Sequence, residues 1–333
     1  MFGVGSNAVA QTPSPAKTLS RFERTEAQMG VPFRIVLYAT DQSAANKALD
    51  HAYQRIKELN DIYSDYAPES ELSRLSRSSG SNKSVQVSRE LFDILQRSHT
   101  ISEASDGAFD VSVGPYVRLW RRARRQKELP DPERMETART SVGYQFIKLN
   151  SRKQTVELLR ENMKLDLGGI AKGYAADEAM KVLQQHGITS ALIDASGDLL
   201  ASEPPPDQAA WRVGIAALKT PESEPTEFLN VSNVAIATSG DAFQFVEIDG
   251  VRYSHIVNPK TSMGLTTHSS VTVVAATATL ADAWASAVSV MGPKDGLRII
   301  ARQPNISALI LTQEDGTTKA VRSCHFPKTV RND

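Results

Sequence analysis

Cysteine is almost missing from this chain of 333 residues, where Cys324 stands alone. No disulfide framework and no cysteine-based zinc site can be built within it, so the core holds without covalent staples. Net charge is missing too, because 38 Lys and Arg balance 38 Asp and Glu. A general attraction to nucleic acid or anionic lipid is not expected from that balance. Any phosphate recognition therefore has to come from local geometry. No apolar run reaches the length of a membrane span. What remains is a chain with 41% hydrophobic residues, long enough to bury a sizeable core in one large domain or two.

The chain is organised around the stretch from Lys164 to Asp177 (Lys-Leu-Asp-Leu-Gly-Gly-Ile-Ala-Lys-Gly-Tyr-Ala-Ala-Asp). Leu165 and Leu167 end an alternating apolar run, Gly168 and Gly169 make a turn, and a helical period starts at Ala171. Tyr174, Ala175, Ala179, Val182 and Leu183 continue that face, and Gly187 stops the helix. A glycine turn before a helix N-terminus points free N–H groups at one place and suits an anion, and Lys172 adds a positive charge. The same pattern also serves as a plain tight strand–helix connection. It matches neither of the two common phosphate loops, Gly-x-x-x-x-Gly-Lys-Ser/Thr and Gly-x-Gly-x-x-Gly.

The N-terminal residues 1–20 read as a disordered leader or a signal remnant, with Ala8-Val9-Ala10 resembling the tail of a cleavage site. Residues 21–325 read as a single domain and residues 326–333 as a C-terminal tail. Phe33 to Tyr38 predicts a strand, and Ser43 is placed as the cap of a helix with Ala45, Ala48, Leu49, Ala52, Ile56 and Leu59 inward. Tyr63 to Leu75 reads as an irregular polar segment. Ser88 opens another helix, and Ser105 to Tyr116 reads either as a pocket-lining loop or as a turn and short strand. The basic run from Arg118 to Arg134 reads as a solvated helix face. Strands are expected at Phe146–Leu149, Thr155–Leu159, Ser190–Ala195, Trp211–Ile215, Val234–Ala237 and Val271–Ala275. Hairpins are expected around Asp249-Gly250 and Asp315-Gly316. A helix from Thr279 ends at Gly292-Pro293. So many hairpins among the helices predict an α+β fold with a mixed, largely antiparallel sheet.

Two further groups could carry chemistry. Asp282 and Ser286 are four apart, on one face of a helix. A carboxylate and a hydroxyl so placed suit a hard cation such as Mg²⁺, although an Asp near a helix start also serves the dipole. His255, beside Asn258-Pro259, is either structural or a general base or phosphate partner. Together these features suggest a Mg²⁺-dependent enzyme acting on an aromatic nucleotide diphosphate.

The chain resembles the ApbE family of FAD:protein FMN transferases from about Phe22 to about Leu311. The matching blocks stand in the family's order: Met29-Gly30; Asp65-Tyr66 with Ser70 to Leu75; Gly107-Ala108-Phe109-Asp110; Asp166 to Asp177; Ala237 to Asp241; His255 to Thr261; and Ala281-Asp282-Ala283. Each alone is weak, and seven in register are specific. The resemblance implies an ApbE-like (T-fold-like) architecture and Mg²⁺-dependent transfer of FMN from FAD to a Thr or Ser of a target protein, with release of AMP. It implies flavin contacts at Met29, Tyr66, Ala108, Phe109, Asp110, Asp166, Lys172 and Val257. It implies metal ligation by Gly169 through its carbonyl and by Asp282 and Ser286, with Ala285 in the same shell. Lys172 would offset phosphate charge, and His255 or Asp282 would serve as the base. An extracytoplasmic location, with membrane association through an N-terminal signal or anchor, is a further expectation, and no nucleic-acid partner is expected. An FAD pyrophosphatase and a non-catalytic flavin-binding protein are the alternatives. The chain departs from the family pattern at three places. Ser286 stands for the usual Thr, Ser262 for a Gly, and Ser196-Gly197-Asp198 for Gly-Gly-Asp.

Overall fold

The computed structural model describes residues 18–215, 218, 227–240, 244–314 and 316–331. The first elements are β1 (Ser20–Gln28), β2 (Val31–Ala39), α1 (Gln42–Tyr63), α2 (Glu71–Arg77), β3 (Val85–Gln86) and α3 (Arg89–Ala104). Then come α4 (Gly114–Gln126), α5 (Pro132–Arg139), β4 (Ile147–Asn150), β5 (Thr155–Leu158) and α6 (Ala171–Gln185). The strands β6 (Ala191–Asp194), β7 (Asp198–Ala201), β8 (Trp211–Gly214), β9 (Glu227–Val231), β10 (Val234–Gly240), β11 (Phe245–Ile248), β12 (Val251–Ser254) and β13 (Ser269–Ala275) follow. The chain closes with α7 (Ala278–Ile300), β14 (Ser307–Glu314), β15 (Thr317–Arg322) and β16 (Val330–Arg331).

An eight-stranded sheet in the order β1-β2-β6-β7-β10-β13-β14-β15 forms the middle layer. Every pairing in it is antiparallel, as the hairpin-rich sequence predicts. Alternation along the strands separates two cores. Phe33, Ile35 and Leu37 of β2 face α1, α6 and α7, whereas Val36 faces the small β16-β9-β8 sheet with Trp211, Val213 and Leu229. A third cluster joins Tyr116, Trp120 and Ala123 of α4 to the β11–β12 hairpin. Val330–Arg331, within the expected tail, pairs with β9. Among the described residues, no helix is long and apolar enough to cross a membrane.

Several local expectations need correction. The cap of α1 is Asp41, not Ser43; the Asp41 carboxylate accepts the Ala44 N–H at 2.9 Å, and Ser43 already lies inside the helix. The polar segment after Tyr63 is not wholly irregular, because Ser70 caps α2 through the Ser73 N–H at 3.0 Å. One expectation holds here: the helix containing Asp282 ends at Gly292, with φ 72° and ψ 179°, and a second helix follows it directly. Pro293 opens a second helical segment to Ile300, a first-turn position where its missing N–H costs nothing. The strands β1, β3, β7, β9 and β16 escape the sequence reading, β1 because many of its positions are exposed and the others because each is five residues or shorter. Residues 1–17 of the expected leader, Asp241, Phe243 and Asp315 lie outside the described residues.

Helices α1, α6 and α7 lie side by side on the sheet. The α6–α7 seam is unusually close, since a Cβ on Gly173 would lie 2.2 Å from the Ala278 carbonyl oxygen. Asp177 of α6 fixes the same seam, accepting the Ala278 and Thr279 N–H groups at 2.8 and 2.9 Å. That carboxylate caps α7 from its neighbour and sets which α7 residues face the start of α6.

Candidate active site

The central stretch folds as its pattern predicts. Asp166 N–H donates to the Val111 carbonyl at 2.8 Å, the Gly168-Gly169 turn follows, and α6 starts at Ala171. A Cβ on Gly169 would lie 2.8 Å from Ser286 Oγ and 3.4 Å from Phe109 Cε2. The glycine turn and the α7 hydroxyl thus share one cradle that a side chain would fill. Asp282, one turn before Ser286, is 5% exposed and accepts the Gly173 N–H at 3.1 Å through Oδ2. One N–H in the first turn of α6 therefore meets a carboxylate from α7.

Lys172 pairs with Asp198, which is 3% exposed at the start of β7. Burial alone would push the Lys172 ammonium toward neutrality, but Asp198 and Asp282 reverse this and hold its pKa above the usual lysine range. Burial, with Asp198 close by, raises the Asp282 carboxyl to about 7. Once Asp282 gives up its proton, two carboxylates against one buried ammonium leave negative charge at the cradle. Together with the Ser286 hydroxyl this is an oxygen-rich donor set, which fits a hard divalent cation. The residues that could hold one are Asp282, Ser286 and the Gly169 carbonyl. Ala285 is fully buried, and its carbonyl already accepts the Ser289 hydroxyl at 2.8 Å.

A second group borders the first through Asp166. Its Oδ1 accepts the Gly168 N–H at 2.8 Å, and its Oδ2 accepts from Arg121 Nη2 at 3.0 Å. Arg121 also pairs with Asp65, and its guanidinium lies 4.2 Å from the centre of the Tyr66 ring. Tyr66 is 74% exposed, so one ring face rests on a cation and the rest meets solvent. That suits stacking of a planar ring. Arg121 corrects the reading of its run as a solvated face, for it is the residue that ties α4 to the site.

The remaining expected positions fall differently. Phe109 borders Gly169, with Ala108 buried beside it. Asp110 turns inward: Oδ1 accepts from Ser112 N–H and Oγ at 2.8 and 2.6 Å, and Oδ2 accepts from Tyr144 N–H at 2.8 Å. It shapes the loop and leaves Phe109 to face the cradle. Met29, at φ 51° in the β1–β2 turn, packs on the main core, and Val257 is buried in the third cluster. His255 Nδ1 lies 3.1 Å from the Gln244 carbonyl, which requires the proton on Nδ1 and leaves Nε2 unprotonated in the neutral ring. A cavity of about 480 Å³ joins Asn258 and Thr261 of the His255 block to Val288 and Ser289 of α7, just past Ser286. A more open hollow at the start of α1, lined by Gln42 to His51, contains none of these groups.

Sequence reasoning overlooked Arg121, Asp65 as its partner, and Asp198. Asp198 carried a signal, since it ends the Ser196-Gly197-Asp198 block.

Comparison with known proteins gives the family and the fold. The ApbE family model matches residues 29–310. The FAD:protein FMN transferase of Treponema pallidum (strain Nichols) is 30% identical over 307 residues, spanning 87% of this chain and 84% of that one. The FAD:protein FMN transferase of Escherichia coli (strain K12) is 28% identical over 334 residues, spanning 98% and 93%. Among solved structures, the flavin transferase ApbE from Vibrio cholerae superposes with a TM-score of 0.81 at 26% identity, covering 92% of this chain and 98% of that one. The ApbE protein of Thermotoga maritima gives 0.81 at 28% identity, covering 92% and 97%.

Proposed function

The chain belongs to the ApbE family, and from that premise we propose that it transfers FMN from FAD to a Thr or Ser hydroxyl of a target protein, with Mg²⁺ as cofactor. It is an FAD:protein FMN transferase like its relatives. The observation that carries the metal part is the cradle where Gly169 meets Ser286, one helical turn from Asp282.

Asp282, Ser286 and the Gly169 carbonyl would hold Mg²⁺, which when bound supplies a Lewis acid that withdraws charge from the pyrophosphate. Lys172, kept charged by Asp198 and Asp282, offsets the remaining phosphate charge as the loose transition state forms. Tyr66, backed by Arg121, offers its ring to one end of the dinucleotide. The acceptor hydroxyl oxygen bonds to the phosphorus on the riboflavin side, the bond to the bridging oxygen breaks, and AMP leaves. The hydroxyl proton passes to a base, for which His255 Nε2 has the right tautomer.

The test is incubation with FAD, Mg²⁺ and a target protein, following AMP release and fluorescence of the target band. Both signals are expected together, and both should vanish with EDTA or in Asp282→Ala. Prompt AMP release without any acceptor would point to a pyrophosphatase. FAD binding with no AMP under any condition would point to a flavin carrier.

A further inference from the structure

We propose that the outward face of α4 is the docking surface for an acidic segment of the acceptor protein. The inference rests on the transferase reading, since that reaction brings a second protein to the mouth of the site.

Arg118, Arg121, Arg122 and Arg125 fall at i, i+3, i+4 and i+7 and form one stripe along α4. The opposite face is anchored, with Tyr116 and Trp120 each 1% exposed and the Trp120 indole N–H donating to the Ser262 carbonyl at 2.9 Å. The stripe therefore cannot roll inward. Arg121 is the member that enters the site, where it pairs with Asp65 and Asp166 beneath Tyr66. Arg118, Arg122 and Arg125 are exposed, and among the described residues none has a carboxylate within 4.0 Å. Half-buried Arg124 has none either. Its pKa is lowered, by burial first and then by Arg121 and Arg125.

This concentration is unusual for a chain with no net charge. Several arginines elsewhere do meet a carboxylate, as Arg24 does with Asp50 and Arg34 with Glu23, and those among the described residues that do not, such as Arg89 and Arg152, are not gathered on one helix face. The nearby α5 does not neutralise the stripe, because Glu136 pairs with Arg139 and Asp131 caps its own helix. The helix dipole accounts for cations in the last turn, Arg124 and Arg125, but not for Arg118 or Arg122. Like charges at these spacings weaken a helix, so the arrangement favours a partner that supplies the missing anions. Arginine forks match carboxylates bidentately, and Arg121 makes the stripe continuous with the reaction site.

The test compares the wild type with R118E/R122E/R125E, whose three side chains are all exposed. Two synthetic peptides serve as probes, each with one central Thr, one flanked by Asp and Glu and the other by Asn and Gln. Fluorescence anisotropy reads binding at low and high salt, and flavin transfer reads productive docking. The wild type should prefer the acidic peptide by about tenfold or more, with the preference shrinking in high salt. The variant should lose that preference while binding FAD as the wild type does, and R118K/R122K/R125K should keep most of it. Equal binding of both peptides by the wild type would overturn the proposal, as would an unaltered preference in the charge-reversed variant. So would wild-type binding to phosphatidylglycerol vesicles or an RNA oligonucleotide, lost in the variant, without any preference between peptides. If no AMP is released in any arm, the transferase reading fails on its own, and anisotropy still decides the docking surface.

Discussion

Ser196 and Ser262 hold φ angles of 59° and 63°, in the left-handed region that a side chain resists. Both stand where the family resemblance leads one to expect glycine. Each serine costs about 1–2 kcal/mol against a residue with no Cβ. Ser196→Gly and Ser262→Gly should therefore each raise the melting temperature, by about 0.5–1 kcal/mol of stability after the entropy cost of glycine. Ser262 gives less, because its hydroxyl accepts from Arg139 at 3.3 Å. A fall in melting temperature for Ser196→Gly would show that the turn does not strain its serine.

Asp282 gives a pH prediction. Burial and Asp198 raise its pKa to about 7 in the metal-free fold, above the ordinary 3.8. Between these values the folded chain keeps a proton that the unfolded chain has lost. The contribution of Asp282 to metal-free stability therefore falls as pH rises through that window and levels off above it. A cation must displace the same proton, so Mg²⁺ affinity should rise by up to about tenfold per pH unit until about pH 7. Titration calorimetry checks this, and a flat affinity across that range would contradict the assigned role of Asp282.

At the scale of elements, the α6–α7 seam decides whether the cradle exists. Gly173→Ala would drive a Cβ to within 2.2 Å of the Ala278 oxygen and 2.5 Å of its carbonyl carbon, both backbone atoms. Alanine's helix preference, worth about 1 kcal/mol, should lose to a clash costing about 1–3 kcal/mol or more. The helices should part, with FMN transfer falling by about a hundredfold from a shift near 1 Å. Full activity with an unchanged melting temperature would sink this account.

The local chemistry of both elements is legible in the residues. The Gly-Gly turn before a helical period and the Asp282–Ser286 spacing need only periodicity to be found. Which way a side chain turns is a different matter. Asp110 looks like a pocket carboxylate, yet spends its oxygens on Ser112 and Tyr144. Arg121 looks like one of many surface arginines, and its role depends on where α4 docks. No spacing rule contains that information. Likewise β1 is an outer strand with many exposed positions, so it lacks the apolar signal that makes β2 plain.

At the scale of the whole molecule, the helical layer, the large sheet and the small sheet leave the candidate site where three units meet. These are the α6–α7 seam, the start of β7 with Asp198, and the α4 unit, which is joined to the seam through Arg121 and Asp166. The hairpin-rich reading foresaw the antiparallel middle layer but not the second core beneath it, because β8 and β9 are short and cover only one face.

Gly169 lies near the middle of the chain, whereas Asp282 and Ser286 lie close to its end. During synthesis the ribosome must therefore release α7 before the two halves of the proposed metal site can meet. A nascent chain stalled after α6 carries only the Gly169 half of the proposed claw.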